Sequence, residues 1–254
     1  MPDRPRLIIL PPSHYCERAR WGLDHTGVAY TEERWAVGCH VPLAKRIAPA
    51  TTLPILVADS EVIQGSGRIL DWAGVPGGDV ELEERFDCHI GLLVRQYIYA
   101  ATLSESASGV CAALLDGVST AQARLARLMW PVTRRLMVAG MNARPALLGH
   151  VEGQLGAELD WFDRRLGARR YLVGDRLGRA DITAASLLGP LARPAACPLY
   201  GRIVLPARVE ETLARWRRRP SLAWTERLYA DHRRRPRVGA KEFAGLLRGL
   251  QKET

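Results

Sequence analysis

The hydrophobic pattern along the first part of the chain changes from that of a β-strand to that of an α-helix. Residues 7–10 form an apolar run of strand length, and Ser13 follows at a position typical of a helix N-cap. Every fourth position from Tyr15 to Leu23 is apolar, which places these side chains on one face of a helix, and Gly27 supplies a common helix stop. The pattern predicts a buried strand followed by a helix that ends near residue 26.

Further short strands follow in the same part of the chain. Residues 28–35, 53–57 and 61–64 each read as a β-strand, and the last two are joined by a connection of hairpin length. Residues 66–72 then read as a short helix that begins at Ser66. This order of strands and helices is typical of a thioredoxin-like α/β layer rather than of a helical bundle.

A glycine- and proline-rich segment at residues 74–78 is the best candidate for a domain boundary. Beyond it the strand patterns nearly vanish and helical periodicity takes over. Helices are predicted over residues 81–103, 121–141, 147–166, 181–191 and 209–218. The predicted fold class is α+β, with a thioredoxin-like N-terminal domain over residues 1–78 and an all-α C-terminal domain over residues 79–254.

The composition is that of an ordinary globular protein and excludes several classes. Hydrophobic residues make up 47% and charged residues 25% of the 254 residues. The longest apolar runs fall far short of the roughly 20 residues that span a bilayer. Pro11 and Pro12 interrupt the first run too early for a secretory signal. We therefore expect no membrane segment and a cytoplasmic protein.

The net charge of +9 raises the question of nucleic-acid binding. Arginine runs lie at residues 217–219 and 233–235, but they fall at helix ends, where cations offset the helix dipole. A solvated face or anionic small substrates account for the charge as well. A nucleic acid is not expected as a partner.

The cysteines indicate neither a disulfide framework nor a metal site. Their number, five, is odd and their spacing does not repeat, so reduced thiols are expected. The pairs Cys39-His40 and Cys88-His89 share none of the standard ligand spacings of zinc sites. No metal is expected.

Four segments resemble, in the same order, those of the cytosolic glutathione transferases. Residues 13–21 (Ser-His-Tyr-Cys-Glu-Arg-Ala-Arg-Trp) resemble the first helix of that family, and residues 53–56 (Leu-Pro-Ile-Leu) resemble the segment that carries its cis-proline. Residues 64–72 resemble the turn and helix that bind the γ-glutamyl group of glutathione. Residues 171–175 and 180–182 resemble the loop and buried helix start of the helical domain.

The resemblance implies glutathione as co-substrate, a homodimer, and a residue near the start of the first helix that acts on the glutathione sulfur. We assign that catalytic role to Ser13. The resemblance also implies a cis Pro54, a Leu53 backbone that pairs with the cysteinyl part of glutathione, and a Ser66 that binds the γ-glutamyl carboxylate. The predicted glutathione-binding residues are Tyr15, Cys16, Leu53, Pro54, Gln64, Gly65 and Ser66.

The assignment of Ser13 has a physical basis. A thiol with a pKa of about 8.5 is mostly protonated at neutral pH, whereas the thiolate is the reactive form. The N–H groups and the positive dipole end of the first helix, together with the Ser13 hydroxyl, would stabilise that anion. From the residues alone, Ser13 could equally be an N-cap without a catalytic role. Tyr15 either packs on the helix face, which we prefer, or brings its hydroxyl to the sulfur.

Two positions depart from the family's pattern. Many members carry an acidic residue directly before the serine of the third segment, where this chain has Gly65, and Gln64 before it is uncharged. An acid from elsewhere in the chain, or from a partner subunit, would have to pair with the ammonium group of glutathione. Gly178 replaces a Ser or Thr helix cap at little cost, and Asp181 is assigned to folding as a first-turn carboxylate.

The expected reaction is attack of a Ser13-stabilised glutathione thiolate on a small hydrophobic electrophile held in an apolar pocket of the helical domain. Arg95, Tyr97 and Tyr99 lie on the first long helix of that domain, and at most two of them can face one pocket. Two rival hypotheses are a glutathione-dependent thiol-disulfide reductase that uses Cys16, and a non-catalytic glutathione transferase-like binding or scaffold protein.

Overall fold

The computed structural model describes residues 4–233 and contains one four-stranded sheet in that range. Its strands are β1 (Arg6–Ile9), β2 (Thr31–Arg34), β3 (Ile55–Ala58) and β4 (Glu61–Gln64). They lie in the order β2-β1-β3-β4, with β1 parallel to β2 and β3 antiparallel to both β1 and β4. The register places Leu7 opposite Glu32 on one side and opposite Leu56 on the other.

Helices cover both faces of the sheet and form the rest of the fold. The described residues contain α1 (His14–His25), α2 (His40–Ala44), α3 (Ser66–Trp72), α4 (Val80–Arg85), α5 (Gly91–Glu105), α6 (Ala107–Leu114), α7 (Thr120–Leu128), α8 (Trp130–Gly140), α9 (Leu148–Leu166), α10 (Arg179–Ala192), α11 (Pro198–Arg202), α12 (Ala207–Trp216) and α13 (Pro220–His232). A π-helical turn at Phe86–Ile90 joins α4 to α5. Within the described range, no helix combines the length and the apolar character that crossing a membrane requires.

The two central strands, β1 and β3, are buried on both faces, and successive side chains of a strand point to opposite faces. Leu7 and Leu56 point to one face, where they pack with Leu23 of α1 and with Ile69 of α3. Ile8 packs on the opposite face in a separate cluster that includes Ala44 of α2. Because α1 follows β1 after a short turn, this packing holds the start of α1 at one end of the sheet.

The predicted fold class is confirmed. A sheet with its helices makes up the N-terminal part, and helices alone follow in the rest of the described chain. The last strand of the described chain, β4, ends at Gln64 and is followed by α3. The first helix of the all-helical part, α4, begins at Val80, so the glycine- and proline-rich segment at residues 74–78 lies between the two parts. A boundary after residue 78 stays a prediction. The end of the proposed second domain, residues 234–254, lies outside the described residues.

Several helices differ from their predicted bounds. The helix predicted over 121–141 is two helices, because α7 ends at Leu128 and Pro131, which has no N–H to donate, stands in the first turn of α8. The helix predicted over 81–103 contains the π-helical turn. The sequence patterns do not predict α6, α11 or α13. Two of these helices, α11 and α13, begin at Pro198 and Pro220. Proline is common at the first position of a helix, but in a sequence pattern it also indicates a helix break.

A buried polar joint connects α1 to the helical part. Arg18 of α1 is only 1% exposed, and its guanidinium pairs with Glu83 Oε2 at 3.0 Å and with Asp87 Oδ1 at 2.7 Å. Arg179, at the start of α10, reaches the same Glu83 carboxylate at 2.7 Å and also pairs with Asp71 of α3. These ion pairs hold α1 against the helices and so determine where its N-terminus points.

Asp181 has the folding role assigned from the sequence. Its buried carboxylate accepts hydrogen bonds from the N–H of Leu172 at 2.8 Å and from the N–H of Gly178 at 2.9 Å. The helix start at Gly178 is thereby satisfied without a capping side chain on that residue.

Candidate active site

A cavity of about 550 Å³ opens where the N-terminus of α1 meets the helical part of the chain. It is bounded by the start of α1, by the loop before β3, and by α5 and α8. Most of its lining is apolar, with Val94, Ile98 and Met137 among the side chains that face it. Such a volume and lining are typical of sites for small ligands.

Ser13 lines this cavity at the N-terminus of α1. Its backbone is extended, and its Oγ accepts a hydrogen bond from the N–H of Cys16 at 3.4 Å. A hydroxyl keeps one hydrogen to donate besides the lone pairs that accept. Ser13 is therefore an N-cap that still has a donor for a ligand in the cavity, so the capping and catalytic interpretations are compatible.

Tyr15 lines the cavity, but its hydroxyl is engaged in a hydrogen bond with the protein. The hydroxyl donates to the backbone carbonyl of Asp87 at 2.8 Å, and a Cβ on Gly91 would stand only 2.7 Å from the hydroxyl oxygen. Burial and the nearby Asp87 carboxylate raise the pKa of Tyr15 well above its usual value. This favours the packing interpretation, in which Tyr15 joins α1 to α5.

Cys16 is completely buried and lies outside the cavity lining. Burial raises the pKa of its thiol, although Arg20 and a hydrogen bond with Ser13 act in the opposite direction. A buried, protonated thiol is a poor nucleophile. A direct contact between Cys16 and glutathione stays a prediction, and the reductase hypothesis lacks an accessible sulfur at this position.

The Leu53–Pro54 peptide bond is cis, as the resemblance implies. Leu53 lines the cavity directly before β3 and lies outside the paired residues of the sheet. The carbonyl oxygen of Pro54 accepts the N–H of Gly65 at 3.0 Å. The backbone of Leu53 therefore stands at the cavity where a ligand backbone could pair with it.

The turn at Gln64, Gly65 and Ser66 lies outside the cavity lining. The Gln64 amide holds the neighbouring loop, because its Nε2 donates to the carbonyl oxygens of Ala50 and Thr52, both at 2.8 Å. Gly65 adopts φ +99°, a conformation that favours glycine, and Ser66 is the first residue of α3. The Gln64 Oε1, which is the atom that could accept from the ammonium group of glutathione, already accepts from the Ala50 N–H at 3.1 Å, so Gln64 is a poor partner for that group.

Two polar side chains of α5 face the cavity. Arg95 and Tyr99, four residues apart, line it, whereas Tyr97 donates its hydroxyl to Glu152 Oε2 at 3.3 Å outside the lining. The prediction that at most two of the three can face one pocket is confirmed. Burial raises the pKa of Tyr99 to about 12, so its hydroxyl stays protonated and can donate.

The sequence patterns do not single out three further lining residues, His14, Thr133 and Met137. His14 Nε2 lies 3.1 Å from the carbonyl oxygen of Gly91, and burial together with the nearby Arg95 lowers the pKa of His14 to about 3, so its ring is neutral near pH 7. Thr133 and Met137 share one face of α8, and their four-residue spacing lies within the helix predicted over residues 121–141.

The family of this chain follows from comparison with known protein families. Residues 7–74 match the model described as glutathione S-transferase, N-terminal domain, and residues 128–203 match the model described as glutathione S-transferase, C-terminal domain. The chain belongs to the glutathione S-transferase family. No protein of curated function matches the sequence significantly.

Solved structures share the transferase fold at low sequence identity. The glutathione S-transferase of Ceriporiopsis subvermispora in complex with glutathione is 15% identical with a TM-score of 0.60, and the match covers 93% of this chain and 100% of that one. The theta class enzyme of Xanthomonas axonopodis pv. citri with glutathione bound is 17% identical with a TM-score of 0.54, covering 87% and 96%. A beta-etherase from Sphingobium sp. strain SYK-6 is 16% identical with a TM-score of 0.55, covering 87% and 98%. These similarities show a shared fold.

Two arginines of the first arginine run form ion pairs within the fold of this family member. Arg219 pairs with Asp163 at 2.8 Å, and Arg217 pairs with Glu210 at 3.4 Å. Residues 234–235 of the second run lie outside the described residues. Between residues 4 and 233, no group of three or more His, Cys, Asp or Glu side chains could hold a metal ion.

Proposed function

We propose that this family member is a glutathione transferase in which Ser13 stabilises the thiolate of glutathione for attack on a small hydrophobic electrophile. One observation carries the proposal: a hydroxyl donor stands at the positive end of α1 and on the wall of an apolar cavity. Both the helix end and the hydroxyl favour the thiolate over the thiol. The sulfur forms a C–S bond while a leaving group departs with its electron pair, or it adds to an activated double bond.

The rest of glutathione would extend from Ser13 past the Leu53 backbone to the turn at Ser66. Asp87 is a candidate for the acid that pairs with the ammonium group, since its Oδ2 lies 3.7 Å from where a Cβ would stand on Gly67. The Asp87 side chain is 36% exposed and therefore open to a ligand. Asp87→Asn should reduce the preference for glutathione over its analogue without the amino group, measured as a ratio of dissociation constants. An unchanged ratio would exclude Asp87.

Two measurements test the proposal. Calorimetric titration with reduced glutathione measures binding, and the thiolate absorbance of the complex as a function of pH measures the thiol pKa of bound glutathione. The wild type should bind glutathione and lower its thiol pKa by about two units. Ser13→Ala should raise that pKa again. Ser13→Asp should keep a cap for the Cys16 N–H but place a negative charge beside the sulfur, so it should fold without lowering the thiol pKa.

Ser119→Ala is the matched control for the loss of a cap. Ser119 caps α7 through the same 3.4 Å bond, from the N–H of Gln122, and lies outside the cavity lining. Its replacement should cost about 1 kcal/mol of stability without changing the thiol pKa. If millimolar glutathione does not bind the wild type, the transferase proposal fails and the scaffold hypothesis leads.

The reductase hypothesis makes the opposite prediction about two variants. It requires that Cys16→Ala abolishes glutathione-dependent disulfide reduction and that Ser13→Ala retains it. The transferase proposal requires that conjugation depends on Ser13 and survives in Cys16→Ala. A homodimer and a cytoplasmic location complete the proposal.

A further inference from the structure

Arg95 is the one side chain with a full charge on the cavity wall formed by the described residues. No Asp, Glu or Lys belongs to that lining. His14 beside it is neutral near pH 7, and the Tyr99 hydroxyl is protonated. The cavity therefore presents a single positive charge inside an otherwise apolar and neutral wall.

The Arg95 guanidinium has no protein partner in the described part of the chain. Its Nε is buried without a hydrogen bond, and no described residue forms an ion pair or hydrogen bond with the group. Arg18, Arg20 and Arg179, which are largely buried, each pair with at least one carboxylate. Arg95 itself is half-buried and has no carboxylate to balance its charge, so an anion that enters the cavity gains by pairing with it.

The positive charge of Arg95 lies in the same cavity as Ser13, where the sulfur of glutathione is proposed to bind. Arg95 lies close enough to His14 to act on it electrostatically, and His14 directly follows Ser13 at the start of α1. Apolar side chains of the same cavity, among them Val94 and Ile98, are available for a hydrophobic body. A molecule in the cavity can thus direct one end toward Arg95 while another part faces the sulfur.

We infer that Arg95 binds an anionic group, a carboxylate in the simplest case, on the electrophile that this transferase conjugates. The inference rests on the proposed function and deepens it by naming a class of second substrate. A guanidinium donates two parallel hydrogen bonds to a carboxylate, a geometry that a neutral ester does not match. With a chlorinated aromatic acid, the C–S bond forms at the ring carbon, chloride leaves with the electron pair of the C–Cl bond, and the thiol proton goes to solvent.

Binding without glutathione tests the anion site on its own. Calorimetric titration with 3,5-dinitrobenzoate and with its methyl ester compares two ligands that differ in charge. The wild type should bind the acid about tenfold or more tightly than the ester. Arg95→Met should remove that preference, and Arg95→Lys should retain part of it. Arg135→Met is the control for overall charge, because Arg135 is exposed on α8 and lies outside the lining, and this variant should keep the preference.

Turnover then tests the link to conjugation. The substrates are 4-chloro-3,5-dinitrobenzoate and its methyl ester. The kcat/KM for the acid divided by that for the ester should be about tenfold or more lower in Arg95→Met than in the wild type. The same ratio in the wild type and in Arg95→Met, or equal binding of acid and ester by the wild type, would overturn the inference. If the acid binds through Arg95 but glutathione does not bind at all, the anion site stands and the transferase proposal falls.

Discussion

Replacing Arg18 by methionine should weaken the joint that positions the N-terminus of α1. Arg18 is almost fully buried, and its guanidinium pairs with Glu83 at 3.0 Å and with Asp87 at 2.7 Å. Methionine is a flexible apolar side chain that can fill much of the same space. The change therefore removes the ion pairs more than the packing.

The magnitude depends on what happens to the two carboxylates. Removing one partner of a buried ion pair costs about 3–5 kcal/mol, because the other charge is left buried. Here Glu83 keeps Arg179 at 2.7 Å, and the Asp87 side chain is 36% exposed, so water can replace Arg18 there. We expect Arg18→Met to lower the free energy of unfolding by about 2–3 kcal/mol, at or below the lower end of that range.

Urea unfolding at pH 7, followed by tryptophan fluorescence, measures this loss. Arg6→Met is the matched control, because the Arg6–Glu33 pair has the same 3.0 Å distance but side chains that are 54% and 41% exposed. A surface pair of this kind contributes about 0–1 kcal/mol. If Arg18→Met costs no more than Arg6→Met, the buried ion pairs do not hold the joint.

Three further predictions concern stability and assembly. Burial raises the pKa of the Asp181 carboxyl in the folded protein to about 6. Protonation of this carboxyl therefore stabilises the folded state fully below pH about 4, and the stabilisation is lost as the pH rises through 6. The unfolding free energy of the wild type relative to Asp181→Asn should therefore fall by about 1–3 kcal/mol between pH 4 and 7 in urea titrations, whereas a constant difference would contradict the raised pKa. Gly91→Ala should cost about 1–3 kcal/mol in the same assay, because its Cβ would stand 2.7 Å from the Tyr15 hydroxyl oxygen. Gly153→Ala, on open helix surface, should gain up to about 1 kcal/mol, and equal effects of the two changes would refute the steric argument. Sedimentation equilibrium should give twice the monomer mass, and a monomer would contradict the homodimer expected from the resemblance.

Features decided by neighbouring residues could be predicted from the sequence. The strand at residues 7–10 and the cap at Ser13 follow from local apolar patterns and capping chemistry. The limit of two among Arg95, Tyr97 and Tyr99 that can face one pocket follows from helical geometry, and Arg95 and Tyr99 are the two that line the cavity. The α+β order needed only the succession of these local patterns.

Features decided by distant contacts could not be predicted in this way. The Tyr15 hydroxyl is occupied by the Asp87 carbonyl, 72 residues away along the chain, and the Gln64 amide by the Ala50 backbone, 14 residues away. No hydrophobic or polar periodicity in the sequence indicates either of these hydrogen-bond partners. The isolation of Arg95 is also a tertiary property, because it depends on which carboxylates the fold brings near and which it uses elsewhere.

The thiol pKa of bound glutathione tests the central claim most directly. Thiolate absorbance against pH should give a pKa lowered by about two units in the wild type and in Ser119→Ala, and a clearly higher value in Ser13→Ala. The same thiol pKa in Ser13→Ala as in the wild type would contradict the role proposed for Ser13.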